Sequence, residues 1–237
     1  MSCFLWQTQA IAVDGGEARI ALAAAVDGKE LSMSRLFLAS SFADVSGVFQ
    51  QWVGEELRGK SVVFIPTASN TEKVVFYVER ARKAFAKLGM TIDELDVSTA
   101  PRGEIVRKLG ASPYIYVSGG NTFFLLQELK RTGADSAILE EVKGGKMYIG
   151  ESAGSIIASP NIEYAKDMDD CAAAPGLDSY DSLGLVPFYP LPHYTNFPFK
   201  KAAEKIIARY DSQLNLRPIS NAQAIAVDGG EASVLAK

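Results

Sequence analysis

Histidine occurs once in the 237 residues, at His193, and cysteine twice, at Cys3 and Cys171. Two thiols so far apart, with no C-x-x-C pair, make neither a disulfide framework nor an ordinary zinc site. No metal and no cofactor is therefore expected, and a reducing compartment, the cytoplasm, fits. A basic excess is missing too: 24 Lys and Arg against 28 Asp and Glu leave a formal charge of −4, which argues against a nucleic-acid partner held by phosphate neutralisation. Long apolar runs are also lacking. Asp14, Glu17 and Arg19 interrupt the stretch where a signal peptide would lie, and no later run is long enough to cross a bilayer, so no membrane partner is expected. What is present, 48% hydrophobic and 22% charged residues, matches a folded domain with one large core.

Ten residues occur twice: Gln9 to Ala18 and Gln223 to Ala232 both read QAIAVDGGEA. Each copy joins an alternating stretch to an Asp-Gly-Gly turn and a second apolar stretch, the pattern of a β-hairpin whose turn needs positive φ. Two copies are too few for a solenoid. A duplicated hairpin at a sheet edge, a swapped terminal element and an artefact at the start of the gene are the competing readings. Residues 1–32 are read as an extra amino-terminal segment that duplicates the carboxy-terminal hairpin, and residues 33–237 as a single catalytic α/β domain. A fold supplies one edge slot for such a hairpin, so a surplus copy would extend the sheet or pair with a second protomer, which leaves a homodimer open.

Between the copies, short apolar runs alternate with amphipathic stretches, the pattern of a three-layer α/β fold with a mostly parallel sheet and helices on both faces. Strands are expected at Leu36–Ser40, Ser61–Ile65, Ile92–Val97, Tyr114–Ser118 and Lys146–Gly150. Ser69 and Glu72 suggest a capping box, followed by Val74, Val78, Ala81, Phe85 and Leu88 at helical spacing up to Gly89. Further helices are expected from Asn121 to Thr132, Ala153 to Ala158 and Lys200 to Tyr210. Sheets of this kind bind ligands beyond the carboxyl ends of their strands.

At one such end, Gly150-Glu151-Ser152-Ala153-Gly154 forms a G-x-S-x-G pattern between an expected strand and an expected helix. That is the context of a nucleophile elbow, in which a sharp turn lifts the serine above the sheet and small flanking residues let strand and helix approach. A plain tight turn is the competing reading. A nucleophilic serine needs a base, usually histidine, and His193 lies in a Pro-flanked loop without helical periodicity. Ser118-Gly119-Gly120-Asn121-Thr122 closes an earlier strand, and its bare glycine amides suit an oxyanion hole whose first donor is the Ala153 N–H. The third member of a triad stays open. Asp167, Asp169, Asp170, Asp178 and Asp181 crowd the loop before His193, and Asn221 is a non-acidic candidate.

Taken in order, Pro66-Thr67-Ala68, Ser118-Gly119-Gly120-Asn121-Thr122, Gly150-Glu151-Ser152-Ala153-Gly154-Ser155 and Pro192-His193-Tyr194 resemble peptidase E, the aspartyl dipeptidase family of serine peptidases. The resemblance spans roughly Ser34 to Ile225 and implies a flavodoxin-like fold of the class I glutamine amidotransferase type, with edge hairpins. It also implies a serine exopeptidase acting on dipeptides with an amino-terminal aspartate, with Ser152 as nucleophile, His193 as base, and Gly120 and Ala153 as oxyanion donors. Asp167 matches an acidic position of the family, and Asn221 falls where some relatives carry a glutamate. Lys200 or Lys201 would stand in for an arginine that grips the substrate aspartate, with Asn121 as a second substrate contact. Two other classes are weighed beside it. An α/β-hydrolase esterase is disfavoured by the 41 residues between Ser152 and His193 and by strands that mostly precede the serine. A catalytically silent binding or scaffold protein of the same fold is the other. Serine in the elbow excludes glutamine amidotransfer in its usual cysteine form.

Overall fold

The computed structural model describes residues 34–237 and the backbone of Ile20–Ala21. The first repeat copy, residues 9–18, lies outside the described residues, as does nearly all of the segment 1–32. The strands are β1 (Ile20–Ala21), β2 (Leu36–Ala39), β3 (Ser61–Ile65), β4 (Thr91–Glu94), β5 (Tyr114–Val117), β6 (Met147–Glu151), β7 (Tyr189–Leu191), β8 (Leu216–Pro218), β9 (Gln223–Asp228) and β10 (Glu231–Ala236). β7 and β8 pair in a small parallel sheet of their own, and the rest form one sheet in the order β1-β10-β9-β2-β6-β5-β3-β4. Five strands, β2, β6, β5, β3 and β4, are parallel, with β4 at the edge, while β9, β10 and β1 continue the sheet antiparallel.

Burial on both faces explains why β2, β3 and β5 read as nearly unbroken apolar runs, since neither face needs polar residues, whereas β4 at the sheet edge is polar and partly exposed. Phe37, Val62, Phe64, Tyr114 and Tyr116 face one layer, which is built on α1 (Phe42–Val53) and α2 (Phe76–Lys87) through Phe42, Phe49, Ala81 and Phe85. Leu36, Leu38, Val63, Ile65, Ile115 and Val117 face the other. There α3 (Arg102–Ala111), α4 (Thr122–Thr132), α5 (Ala134–Lys143) and the short α6 (Ala153–Ile156) contribute Ile105, Phe123, Ile138 and Ile156, and α7 (Lys200–Tyr210) adds Ala203 and Ile206.

The crossover β3-α2-β4 runs over the first face, whereas β4-α3-β5 and β5-α4-α5-β6 run over the second. Chain direction across the sheet therefore reverses between β3 and β5, and the loops leaving their carboxyl ends diverge to open a crevice. That crevice is where the candidate site lies.

Two local expectations change. Ser69 does not cap a helix; its hydroxyl donates to the Pro66 carbonyl three residues back (2.8 Å), Thr67–Thr71 coil as a 3₁₀ turn, and α2 begins only at Phe76. A serine bonded to backbone nearby offers the chain an alternative to the helix ladder. β4 ends at Glu94 because Asp96 turns the chain, its carboxylate accepting from Thr67, Asn70 and Ser98. The carboxy-terminal hairpin forms as expected, with Gly229 and Gly230 at φ 58° and 84° in the turn. Ile20–Ala21, just after the first repeat copy, pair with the outer edge of β10. Among the described residues no helix is long and apolar enough to cross a membrane.

Candidate active site

β6 ends at Glu151, α6 begins at Ala153, and Ser152 occupies the single residue between them at φ 49°, ψ −108°. A non-glycine residue held in such a region costs about 1–3 kcal/mol, so neighbouring contacts must hold it there. The Ser152 N–H donates to the Ala39 carbonyl (2.9 Å), and the buried Ser155 hydroxyl lies 2.8 Å and 2.9 Å from the carbonyls of Ala39 and Gly150. Both motif glycines are required by space. A β-carbon at Gly150 would stand 2.5 Å from the Gly154 oxygen, and one at Gly154 would stand 2.1 Å from the Val117 oxygen.

His193 follows β7, and Asn221 follows β8, so the small sheet brings the two together although 28 residues separate them. The His193 N–H donates to the Ser40 hydroxyl at the end of β2, which in turn donates to the Ile219 carbonyl, both at 3.0 Å. Phe199 stacks on the imidazole, centroids 4.9 Å apart. His193 Nδ1 lies 2.8 Å from Asn221 Oδ1, and His193 Nε2 lies 2.9 Å from Ser152 Oγ. Because the amide oxygen can only accept, Nδ1 carries the proton and Nε2 keeps the lone pair that faces the serine hydroxyl. Burial holds the imidazole below its ordinary pKa, and the Asn221 bond offsets part of that shift.

Gly120 lies beside Ser152 on the wall of a cavity of about 320 Å³. Its φ of 135° and the 2.1 Å that would separate an added β-carbon from the Ala68 oxygen allow only glycine. Among the described residues neither the Gly120 N–H nor the Ala153 N–H donates to a protein acceptor, which leaves both amides for a ligand.

Three expected site residues are corrected. Asp167 is not the partner of His193: its carboxylate pairs with Lys205 and Arg209 of α7, at 2.5 Å and 3.1 Å, and Asn221 takes the place at Nδ1. Lys200 lies outside the cavity wall, its side chain 58% exposed with Glu204 as its ionic neighbour, because it opens α7 facing solvent. Asn121 caps α4 rather than contacting a ligand. Its Oδ1 accepts from the Phe124 N–H, its Nδ2 donates to the Asp170 carbonyl and its N–H to the Ala68 carbonyl, so its polar groups are already satisfied.

The structure also places here residues to which the motifs assign no role. Glu151 is buried below the elbow, accepting from the Phe42 N–H (3.1 Å) and the Tyr116 hydroxyl. Burial raises its pKa to about 7 against the lowering effect of those bonds. Asp169, which accepts from the Thr122 N–H and hydroxyl, is raised by burial to about 6. The Tyr77 ring packs over Gly119 at the edge of the same cavity.

Comparison with known proteins defines the class first: an α/β peptidase. The chain belongs to peptidase family S51, whose model it matches over residues 30–235. It is 57% identical over 196 residues to an uncharacterised peptidase of Pasteurella multocida, covering 83% of this chain and 94% of that one. It is 54% identical over 199 residues to an uncharacterised peptidase of Listeria monocytogenes, covering 84% and 97%. The crystal structure of a Listeria monocytogenes protein assigned to peptidase E superposes with a TM-score of 0.83 at 52% identity, over 86% of this chain and 99% of that one.

Proposed function

We propose that this peptidase is a serine-type exopeptidase acting on dipeptides, with Ser152 as nucleophile and His193 as base. The observation that carries the reading is the hydrogen-bonded chain from Asn221 through His193 to Ser152, at 2.8 Å and 2.9 Å. Ser152 Oγ attacks the peptide carbonyl as His193 Nε2 takes its proton, and the imidazolium then returns that proton to the leaving amine. The carbonyl oxygen, now anionic, is held by the Gly120 and Ala153 amides. Water repeats the sequence on the acyl-enzyme, releasing the amino acid and restoring the serine. Asn221 orients the imidazole and fixes its tautomer without adding negative charge. Such a chain favours catalysis over a silent binding role. All of its members fall within residues 34–237, which supports reading residues 33–237 as one catalytic unit.

The resemblance to peptidase E adds a preference for amino-terminal aspartate. Lys200 lends it no support, because it lies away from the cavity.

A fluorophosphonate probe should label Ser152, and intact hydrolysis by an unlabelled protein would overturn the assignment. The pH profile checks the base. His193 must be neutral to accept a proton, so kcat/KM should rise with pH through one ionisation below the ordinary histidine value of about 6.5. Asn221→Asp places a carboxylate against Nδ1, favours the imidazolium and should move that ionisation upward. A profile that stays put in Asn221→Asp would remove Asn221 from contact with the base.

A further inference from the structure

The cavity beside Ser152 has an electrical character that ill suits an acidic side chain. Three carboxyl groups, Glu72, Glu151 and Asp169, line it against one guanidinium, Arg80, and that guanidinium is already paired with Asp44 at 2.6 Å. No lysine lines it among the described residues.

Amid the carboxyls stands the Tyr77 hydroxyl, whose oxygen is buried and has no hydrogen-bond partner among the described residues. Its ionisation is opposed first by burial and then by the negative charge of Glu72, Glu151 and Asp169, three groups that share the cavity wall with it. The same tyrosine adjoins the nucleophile: a β-carbon built on Gly119 would lie 3.6 Å from Tyr77 Cε2 and 3.2 Å from Ser152 Cβ. A buried phenol oxygen without a donor is an unmet polar group, and leaving one unmet is costly unless a ligand completes it.

An ammonium group meets every requirement. It brings only donors, so it can bond the phenol oxygen, and its charge offsets that of the carboxyls around it. A carboxylate could accept from the phenol O–H, but it would bring a further like charge among the carboxyls. The carboxyl groups are too dispersed to converge on a metal ion, since no group of three such ligands gathers among the described residues. Phe76, Phe197 and Phe199 line the same cavity, a surround that suits an apolar side chain or a cation lying over a ring.

We propose that this cavity seats the acyl-side residue of the peptide by its free α-ammonium, bonded to the Tyr77 hydroxyl oxygen within the negative field of Glu72, Glu151 and Asp169, and selects uncharged or basic side chains over aspartate. The proposal rests on the peptidase reading above and departs from the aspartate preference that the resemblance implies.

Binding and labelling together test it. Ser152→Ala protein, which retains the cavity and spares the ligand, is titrated calorimetrically with Asn-Leu, Asp-Leu and N-acetyl-Asn-Leu. Asn-Leu should bind tightest, with Asp-Leu weaker by about tenfold or more from like-charge contact and the acetylated peptide weaker by about a hundredfold from loss of the ammonium. Tyr77→Phe should weaken Asn-Leu while leaving the acetylated peptide unchanged, and Glu72→Gln should narrow the gap between Asn-Leu and Asp-Leu. Asp-Leu binding as tightly as Asn-Leu, or acetylation without effect, overturns the proposal. Fluorophosphonate labelling of the unaltered enzyme separates the two readings. A labelled Ser152 with the opposite charge order sinks this inference alone, while the expected charge order without labelling sustains it and overturns Ser152 as nucleophile.

Discussion

Replacing Ser152 by alanine is expected to lower kcat/KM for a dipeptide by about ten-thousandfold or more, because the proposed mechanism routes the acyl group through its hydroxyl. What survives would come from the oxyanion amides and from substrate positioning, both of which the substitution leaves in place. The melting temperature should change little, since alanine keeps the same unfavourable backbone region that serine occupies. Ser152→Gly makes the informative companion. At φ 49°, ψ −108° a glycine is unstrained, so this variant should be equally inactive yet more stable by about 1 kcal/mol. Activity of the alanine variant within tenfold of the parent would take the nucleophile's role away from Ser152. Stability falling in the glycine variant would show that the elbow stores no strain.

The second large effect lies in the backbone contact beneath the serine. Gly154→Val should destabilise the protein by about 3 kcal/mol or more and remove activity, because its β-carbon would be driven to 2.1 Å from the Val117 carbonyl oxygen. Backbone cannot swing aside as a side-chain tip can. β5 would have to part from α6, and with it the Gly120 amide from the elbow. Gly47 in α1 is the control. A β-carbon there meets no atom within 4 Å, so Gly47→Ala should be neutral or stabilising by up to about 1 kcal/mol, as expected for glycine in a helix interior. Denaturant titration of the two variants side by side measures the contrast, and comparable midpoints would refute the steric account.

Where a stretch of sequence answers to a single physical demand, its structure was readable in advance. Ser61–Ile65 and Lys200–Tyr210 adopt the expected bounds, one because a strand buried on both faces has to be apolar throughout, the other because a helix with one covered face has to be periodic. The tight strand-to-helix turn at Ser152 was readable because contact forces the two glycines that flank it. The partner of His193 was not. Asp167 is the more natural choice by charge and by resemblance, and only the folding of α7 reveals that Lys205 and Arg209 already hold it. Asn221 was visible only as a candidate, since the bond to His193 depends on how β7 and β8 align. Glu151 filled a variable position of the motif and Tyr77 an ordinary helical one. Their meeting beside Ser152 depends on packing between α2 and the end of β6, which no local pattern encodes. Ser69 shows the converse failure: a valid capping pattern was overridden by a hydroxyl bond to its own turn.

The small sheet of β7 and β8 carries His193 and Asn221, while Ser152 belongs to the main sheet, and the Ser40 hydroxyl bridges the two by meeting the His193 N–H and the Ile219 carbonyl. Two three-residue strands form a much weaker cooperative unit than an eight-stranded core, and regions with few internal bonds open at lower free energy than the molecule as a whole. Warming would therefore unhitch the imidazole from the serine while the core is still intact. Activity should be lost on warming before the core's structure is, and Ser40→Ala should widen the gap between the two temperatures.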